Sequence, residues 1–237
     1  YAAGEYDNTT DGDSVMGVAF EAGLHFADWS SDTRTGETYF ADFLRKATND
    51  AMQYDPIAGN NSWSLGNFDI NDMEAFINNY SNSTDELFSA VMHSSVSSAA
   101  TSAWTNYISA LNTFQNDGVI VWAIGNDVNE DDAAMLSGLP FWYSQLAEAW
   151  LAVGVYENTG STIASSTITR KGNPCGQAAA YCLFLDGWQI GYASNYDGTT
   201  SNYSDGQGAF GSSWTTPMVS GAIALLKQAF PNHTPEQ

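Results

Sequence analysis

Residues 211–221 read Gly-Ser-Ser-Trp-Thr-Thr-Pro-Met-Val-Ser-Gly, and an apolar run follows them as far as Phe230. Glycine permits a sharp turn, and proline is tolerated in the first turn of a helix, where its missing N–H would have no partner. A serine at such a turn presents its hydroxyl beside the N–H groups of the helix start, which favour negative charge. The stretch therefore predicts either a reactive serine or an ordinary serine cap on a buried helix.

The composition excludes several classes of function. The chain has 27 Asp and Glu residues against 6 Lys and Arg, which gives a formal net charge of −21. Nucleic acid would be repelled by this charge, so we expect no nucleic-acid partner. The 43% share of hydrophobic residues predicts a substantial core. No apolar run is long enough to span a membrane, and no segment has the spacing of a dedicated calcium loop.

A second informative stretch is Val-Ile-Val-Trp-Ala-Ile-Gly-Asn-Asp at 119–127. An uninterrupted apolar run of this length predicts a strand buried on both faces of a parallel sheet. A helix is predicted before it, over 101–116, because Trp104 and Ile108 begin an apolar face with helical spacing. Open α/β sheets place their sites at the carboxyl ends of such strands. Asn126 is therefore either a site residue or a simple loop cap.

Other elements are predicted from periodicity and turn residues. In chain order they are a turn and an alternating strand over 17–27, a helix over 38–53, a strand from Ile57 towards Gly66, an irregular polar insertion over 67–90 with a helix start at Asn71, and a strand over 149–155.

These stretches resemble segments of the subtilisin-like serine proteases, or subtilases. Residues 211–221 are similar to the family's nucleophile motif, Gly-Thr-Ser-Met-Ala-x-Pro-His-Val-x-Gly, and 119–126 to its Val-x-Val-Val-x-Ala-Ala-Gly-Asn strand. Residues 60–66 resemble its Asn-Asn-Ser-Trp-Gly and Asn-x-Ser-Leu-Gly segments. The resemblance runs over 1–237 and implies one domain. Its fold is three-layer α/β, with a mainly parallel sheet and helices on both faces, incomplete at its amino-terminal side.

The resemblance also implies an activity and its residues. Ser213 would be the nucleophile of an endopeptidase that cleaves a polypeptide through an acyl-enzyme, with Asn126 and the Ser213 N–H in the oxyanion hole. The residues expected to pair with the substrate backbone and wall the pocket for its side chain are Ser64, Leu65, Gly66, Ala123, Ile124 and Gly125. The reaction needs no cofactor and no catalytic metal. The resemblance is also compatible with a structural calcium ion, which members of the family often bind, although no set of ligands can be named.

The two cysteines, Cys175 and Cys182, are spaced for a small disulfide loop, but two buried thiols fit the sequence equally well. Their surroundings resemble the Cys-Gly-x-x-x-x-x-Cys segment of secreted, autotransporter-like subtilases of Gram-negative bacteria. That likeness implies a disulfide and a secreted or cell-surface location in a bacterium. Asp186 stands where the family usually has proline.

No histidine of the chain suits the role of general base. In this family the residues of the catalytic triad occur along the chain in the order Asp, His, Ser. The resemblance of this chain begins after the expected positions of the Asp and His motifs. His25 lies in a predicted strand, His93 lacks the flanking glycines of the family motif, and His233 follows the last helix. The resemblance therefore implies that an upstream segment carries the base and its carboxylate.

Two alternatives remain open. One is a non-catalytic, subtilase-like surface or binding module without a complete triad, which the departures at Ser212, Trp214, Met218 and Asp186 favour. The other is an unrelated α/β hydrolase that uses Ser213, although the chain lacks the Gly-x-Ser-x-Gly turn of that class.

Overall fold

The computed structural model of the chain describes residues 18–19, 21–27, 36, 38–64, 68–93, 96–160, 162, 165–187, 192–196, 201–204 and 210–237. Helices in these ranges are α1 (Tyr39–Ala51), α2 (Ile70–Asn79), α3 (Thr84–His93), α4 (Ser98–Phe114) and α5 (Ser212–Ala229). Strands are β1 (Ala58–Asn61), β2 (Val119–Ala123), β3 (Trp150–Asn158), β4 (Ile168–Arg170), β5 (Cys182–Asp186), β6 (Tyr192–Tyr196) and β7 (Ser201–Ser204).

A mainly parallel sheet is formed by β1, β2, β3 and β5, which follow one another in that order. Gly59 pairs with Ile120, and Ile120 in turn with Trp150, so the three strands are in close register. Strand β4 pairs in antiparallel fashion with the last residues of β3. Strands β6 and β7 form a separate antiparallel pair.

Helices cover both faces of this sheet, as side-chain alternation along the strands requires. On one face, Val121 of β2 and Val153 of β3 pack with Val219 of α5. On the other face, Trp122 stacks on Trp150 at 5.6 Å and joins a large cluster built by α1, α3 and α4. The predicted three-layer α/β architecture is therefore confirmed. None of the described helices combines the length and the apolar character that a membrane span needs.

The helix predicted over 38–53 is confirmed as α1, with a short 3-10 turn after it, and the helix predicted over 101–116 is confirmed as α4. Helix α4 begins three residues earlier than predicted because Ser97 caps it: its Oγ accepts the N–H of Ala100 at 3.1 Å. The strands predicted from Ile57, at 119 and over 149–155 are confirmed as β1, β2 and β3.

The prediction of a strand within 17–27 is wrong for its described part. The turn exists, since the N–H of Ala22 bonds to the C=O of Ala19 at 3.0 Å, but residues 22–27 have no regular structure. Leu24 and Phe26, the apolar residues of the alternation, are 53% and 79% exposed, so neither packs on a core. Alternation predicts a strand only where one face is buried.

The helix start predicted at Asn71 is confirmed to within one residue, since α2 begins at Ile70, but the prediction that 67–90 is an irregular insertion is wrong, because α2 and most of α3 lie there. Asp69 caps α2 by accepting the N–H of Asp72 at 2.9 Å. Ser83 and Glu86 form a reciprocal capping box at the start of α3, with bonds of 2.9 and 3.3 Å. The backbone N–H of Ser83 and the side-chain amide of Asn82 both donate to the Glu86 carboxylate and lower its pKa. Polar residues that looked like a loop therefore serve as helix caps.

Cys175 and Cys182 form the implied disulfide, with their Cα atoms 5.9 Å apart. The bond closes a small loop made by a 3-10 turn over Gly176–Tyr181 and fixes this turn to the first residue of β5. Because β5 pairs with β3 in the central sheet, the bond anchors the turn to the core.

We expect the double substitution Cys175→Ser and Cys182→Ser to lower the free energy of unfolding by about 2–3 kcal/mol, because the unfolded chain is no longer constrained by the loop. Urea unfolding with and without dithiothreitol measures this. Reductant should destabilise the wild type by a similar amount and leave the double variant unchanged. Equal stability of the oxidised wild type and the variant would contradict the expectation.

Candidate active site

A cavity of about 460 Å³ lies where the carboxyl ends of β1 and β2 meet the start of α5. Among the predicted site residues, those that line it are Ser64, Ala123, Gly125, Asn126 and Ser213. Leu65 and Gly66 fall outside the described residues. The structure thus brings the separate motifs of β1, β2 and α5 to one place, as expected for the carboxyl edge of a parallel sheet.

Ile124 does not line this cavity, unlike the residues on either side of it. Its side chain is fully buried in the core. Its N–H bonds to the C=O of Val153 at 3.1 Å, and its C=O accepts the N–H of Ala134 at 2.8 Å. The backbone and side chain of Ile124 are therefore engaged within the protein, which leaves Ala123 and Gly125 to face the cavity.

Ser213 is the second residue of α5, and its Oγ donates a hydrogen bond to the C=O of Ser62 at 3.2 Å. The helix begins at Ser212, five residues before Pro217, so the prediction that this proline lies in the first turn is wrong. The proline lies in the second turn, where it removes the N–H that would bond the C=O of Ser213. At this position in the helix, the N–H of Ser213 has no carbonyl partner within α5.

Asn126 follows β2 after Gly125, and its side chain is bonded to Ser212, the residue before Ser213. Both donors of Ser212 reach the carboxamide oxygen of Asn126: the backbone N–H at 2.7 Å and Oγ at 2.9 Å. These contacts hold Asn126 and Ser213 at the same cavity although they are far apart in the chain. Ser212 entered the sequence analysis only as a departure from the family motif.

Asn173 is a further cavity residue that the sequence analysis missed. It is 4% exposed, and its side-chain hydrogen bonds connect two points of the loop that follows β2. Its Nδ2 donates to the C=O of Asp132 at 2.9 Å, and its Oδ1 accepts the N–H of Asp127 at 3.0 Å. Gly125 passes so close that a Cβ there would overlap the Asn173 amide, and its φ of +107° favours glycine. An asparagine in a loop carries no signal that would have identified this role.

Carboxylates gather at one side of the cavity. Desolvation and the charges of Asp69, Asp127 and Asp72 raise the pKa of Glu130, which lines the cavity. Carboxylate oxygens of Asp69, Asp72 and Glu130 lie within 4.8 Å of one another. This donor type fits calcium, although three carboxylates supply only part of the roughly 6–8 oxygen ligands that the ion takes.

Lys171 is the basic residue among the described residues of the cavity wall. Its Nζ forms an ion pair with Glu157 at 2.7 Å, and both side chains are largely shielded from solvent. The positive charge is therefore already balanced by a carboxylate of the same protein.

None of the three histidines lines the cavity. His25 stacks on Tyr54 at 5.0 Å, and His233 stacks on Phe230 at 5.1 Å. His93 is the last residue of α3. This placement agrees with the sequence analysis, which assigned none of them as a base.

The subtilase family model, Peptidase_S8, matches residues 2–237. The chain is similar to the solved structure of the prenylagaramide maturation protease PagA, with a TM-score of 0.47 and 16% identity, over 86% of this chain and 57% of that one. It is also similar to a mutant of the protease domain of PatA, with a TM-score of 0.42 and 19% identity, over 86% and 55%. The chain thus spans a little over half the length of these two structures. No match is found among curated proteins.

Gly125→Ala should lower the free energy of unfolding by about 2–4 kcal/mol, because the new Cβ meets the Asn173 amide at a positive φ. Gly23→Ala is the matched control, since a Cβ there meets nothing within 4 Å. Urea unfolding measures both. Part of the loss should disappear when Gly125→Ala is made in an Asn173→Ala background, where only the backbone strain remains. A loss no larger than that of Gly23→Ala would refute this account of the loop.

Proposed function

Because the chain belongs to the subtilase family, we propose that it forms the nucleophile-bearing part of a serine endopeptidase. Ser213 attacks the carbonyl of a polypeptide substrate and forms an acyl-enzyme. The observation that carries the proposal is the arrangement of three elements at one cavity: a hydroxyl on the first turn of α5, the amide of Asn126 and the segment after β1.

The oxyanion of the tetrahedral intermediate would be stabilised by two donors, the Nδ2 of Asn126 and the backbone N–H of Ser213. Donors that are already oriented need no rearrangement when charge develops on the carbonyl oxygen. One such donor is worth about 3–4 kcal/mol of the barrier in subtilisin, a related protease. The dipole at the start of α5 favours the same negative charge.

The hydroxyl of Ser213 is a weak nucleophile until a base takes its proton. In the structure this proton is directed to the C=O of Ser62, so attack requires the bond at 3.2 Å to be exchanged for one to the base. We propose that a segment upstream of residue 1 supplies the histidine base and its orienting aspartate. In the described part of the sheet, β1 pairs only with β2, so its other edge can accept a strand of that segment.

The substrate is proposed to lie along Ser64 on one side and Ala123 with Gly125 on the other. An extended peptide there would present its carbonyl to Ser213 at the junction of β1, β2 and α5. Leu65 and Gly66 are proposed to continue the first wall.

A secreted or cell-surface location is proposed on two features, and its placement in a bacterium rests on the resemblance of the cysteine segment to bacterial subtilases. The disulfide between Cys175 and Cys182 is of a kind that persists in oxidising compartments. The net charge of −21 keeps a protein soluble in such surroundings.

In the full-length protein, Ser213→Ala should lower kcat for peptide hydrolysis by at least about 10⁴-fold, because the acyl-enzyme cannot form. Ser102→Ala is the control, since Ser102 is an exposed serine on α4 whose Oγ donates to the C=O of Ser98 in the same helix. A fluorogenic peptide assay measures turnover, and a fluorophosphonate probe followed by peptide mapping locates the reactive serine.

Labelling of Ser213 in the wild type and in Ser102→Ala, but not in Ser213→Ala, is the expected pattern. Full activity of Ser213→Ala would overturn the assignment of the nucleophile. A wild type with neither turnover nor labelling would favour the non-catalytic binding module.

We propose that the reaction needs no cofactor and that calcium acts only as a structural ion. Calcium should then raise the midpoint of thermal unfolding by about 3 °C or more, while EGTA leaves kcat at low temperature unchanged. Glu130→Gln should weaken the calcium response, because it removes one of the three clustered carboxylates. Glu21→Gln, which changes an exposed carboxylate outside the cluster, is the control. A midpoint that is insensitive to calcium in the wild type would contradict the proposal.

A further inference from the structure

Asp132 is a buried acidic residue that the proposed mechanism does not use. It is 2% exposed and lies in the loop after β2, between Glu130 and Ala134, which both line the cavity. Its Oδ1 accepts two backbone N–H groups, that of Ala133 at 2.8 Å and that of Gln177 at 2.9 Å. The second bond joins two parts of the chain that are 45 residues apart in sequence.

The chain on the far side of this bond is the disulfide turn, the 3-10 turn over Gly176–Tyr181 that the disulfide fixes to β5. Gly176 passes so close to Asp132 that a Cβ on it would overlap the carboxylate, and its φ of +47° also favours glycine. The carboxylate of Asp132 therefore fits directly against the backbone of the disulfide turn.

The chain just before the disulfide turn holds the two neighbours of Asn126. The backbone N–H of Asn173 donates to the C=O of Gly125 at 3.3 Å, and its Oδ1 accepts the N–H of Asp127 at 3.0 Å. The backbone of Asn126 is thus fixed on both sides. The Nδ2 of Asn173 donates to the C=O of Asp132 at 2.9 Å, so Asp132 bonds this stretch through its backbone as well as through its side chain.

The burial of the Asp132 carboxylate has a free-energy cost that an apolar residue would avoid. Desolvation raises the pKa of its carboxyl, although the N–H groups of Ala133 and Gln177 lower it. An apolar side chain could not bond the disulfide turn, however. The retention of a buried carboxylate at this point indicates that its value lies in joining two segments in one fixed arrangement.

We infer that Asp132 is a positioning residue for catalysis: it fastens the disulfide turn to the loop after β2, so that Asn173 holds Asn126 in register with the oxyanion. The inference rests on the proposed function, in which the amide of Asn126 binds the oxyanion. Asp132 is not among the residues of the cavity wall, so its effect is transmitted through the backbone. The effect falls on kcat, because the oxyanion forms only after the substrate has bound.

Two substitutions of Asp132 separate its hydrogen bonds from its charge. Asp132→Ala removes the acceptor of both backbone N–H groups. Asp132→Asn removes the charge but keeps a side-chain oxygen of the same shape, which can accept both N–H groups. If Asp132 acts by joining the two segments, the asparagine variant should recover most of what the alanine variant loses.

The chain offers a matched control in another carboxylate that joins two elements. The carboxylate of Asp85 on α3 accepts the hydroxyl of Tyr143 at 2.7 Å and that of Thr105 at 2.7 Å. Asp85 is not among the residues of the cavity wall. Asp85→Ala thus removes the same charge and two comparable hydrogen bonds away from the cavity.

The test uses steady-state kinetics of the full-length protein with a fluorogenic peptide. Asp132→Ala should lower kcat about fivefold and leave KM within about twofold, while Asp132→Asn recovers most of kcat and Asp85→Ala leaves it unchanged. An unchanged kcat for Asp132→Ala, or a change confined to KM, would overturn the inference. So would an asparagine variant that is as impaired as the alanine variant.

The same hydrogen bond can be removed from its donor side, which keeps the test open if Asp132→Ala folds poorly. Gln177→Pro removes the N–H that Asp132 accepts, and proline is tolerated in the first turn of a helix. Gln177→Ala keeps this N–H and is the control for the loss of the side chain. Gln177→Pro should lower kcat as Asp132→Ala does, and Gln177→Ala should not. Equal kcat for the two variants of Gln177 would contradict the inference.

A double-variant cycle decides whether Asp132 acts through Asn126. In an Asn126→Ala background, Asp132→Ala should have almost no further effect on kcat, because the group that it helps to place is gone. An undiminished fivefold loss in that background would show that Asp132 acts by another route and would overturn the inference.

Amide hydrogen exchange needs no turnover and separates this inference from the proposed function. The N–H of Asp127 is bonded to Asn173 rather than to Asp132, so its exchange reports whether Asp132 holds the loop through Asn173. It should exchange about tenfold faster in Asp132→Ala and at the wild-type rate in Asp85→Ala. An unchanged rate in Asp132→Ala would refute the positioning role even in an inactive protein. Failure of the proposed function would instead appear as a wild type without turnover or labelling, whatever the exchange rate.

Discussion

The two hydrogen bonds from Ser212 to the Asn126 carboxamide are the contact on which the site depends. They join the carboxyl end of β2 to the start of α5, at 2.7 and 2.9 Å. Val121 of the strand and Val219 of the helix also pack against each other, and such apolar packing tolerates small shifts along the helix axis. Directional bonds from a buried residue set the position of the amide more narrowly than apolar packing does, as the proposed oxyanion hole requires.

The sheet and the loop after β2 support this contact from two sides. Val219 packs on Val121 and Val153, which sets the distance between α5 and the sheet. Asn173 bonds both ends of the loop after β2 and so fixes the course of the chain beyond Asn126. The side chains that make these contacts have little conformational freedom, because the valines are β-branched and the asparagine is buried. The cavity is therefore shaped before any substrate is present.

Much of the fold could be predicted because its signals are local. The uninterrupted apolar run at 119–124 predicts a buried strand, and the order of motifs around Asn126 and Ser213 predicts a shared site. The start of α2 was expected at Asn71, but its extent and the whole of α3 were missed, because the polar caps Asp69 and Ser83 look like loop residues until their hydrogen bonds are seen. The alternation at 22–27 predicted a strand, but that stretch has no core to face.

The site residues that sequence analysis missed share a different cause. Ser212 and Asn173 have roles defined only by partners about 40 to 90 positions away along the chain. Nothing in their own neighbourhood distinguishes them from capping or loop residues. Ile124 shows the opposite error. The sequence analysis assigned it to the site together with Ala123 and Gly125, but successive side chains alternate in direction along extended chain, and that of Ile124 is buried in the core.

The central claim is that Ser213 and Asn126 act on the same carbonyl group. A crystal structure of the full-length protein with a peptide boronic acid tests it most directly, since boron imitates the tetrahedral carbon. The account predicts a covalent bond from boron to the Ser213 Oγ, with one boronate oxygen about 2.7–3.1 Å from both the Asn126 Nδ2 and the Ser213 N–H. A boronate bound to another residue, or one whose oxygen points away from Asn126, would contradict it.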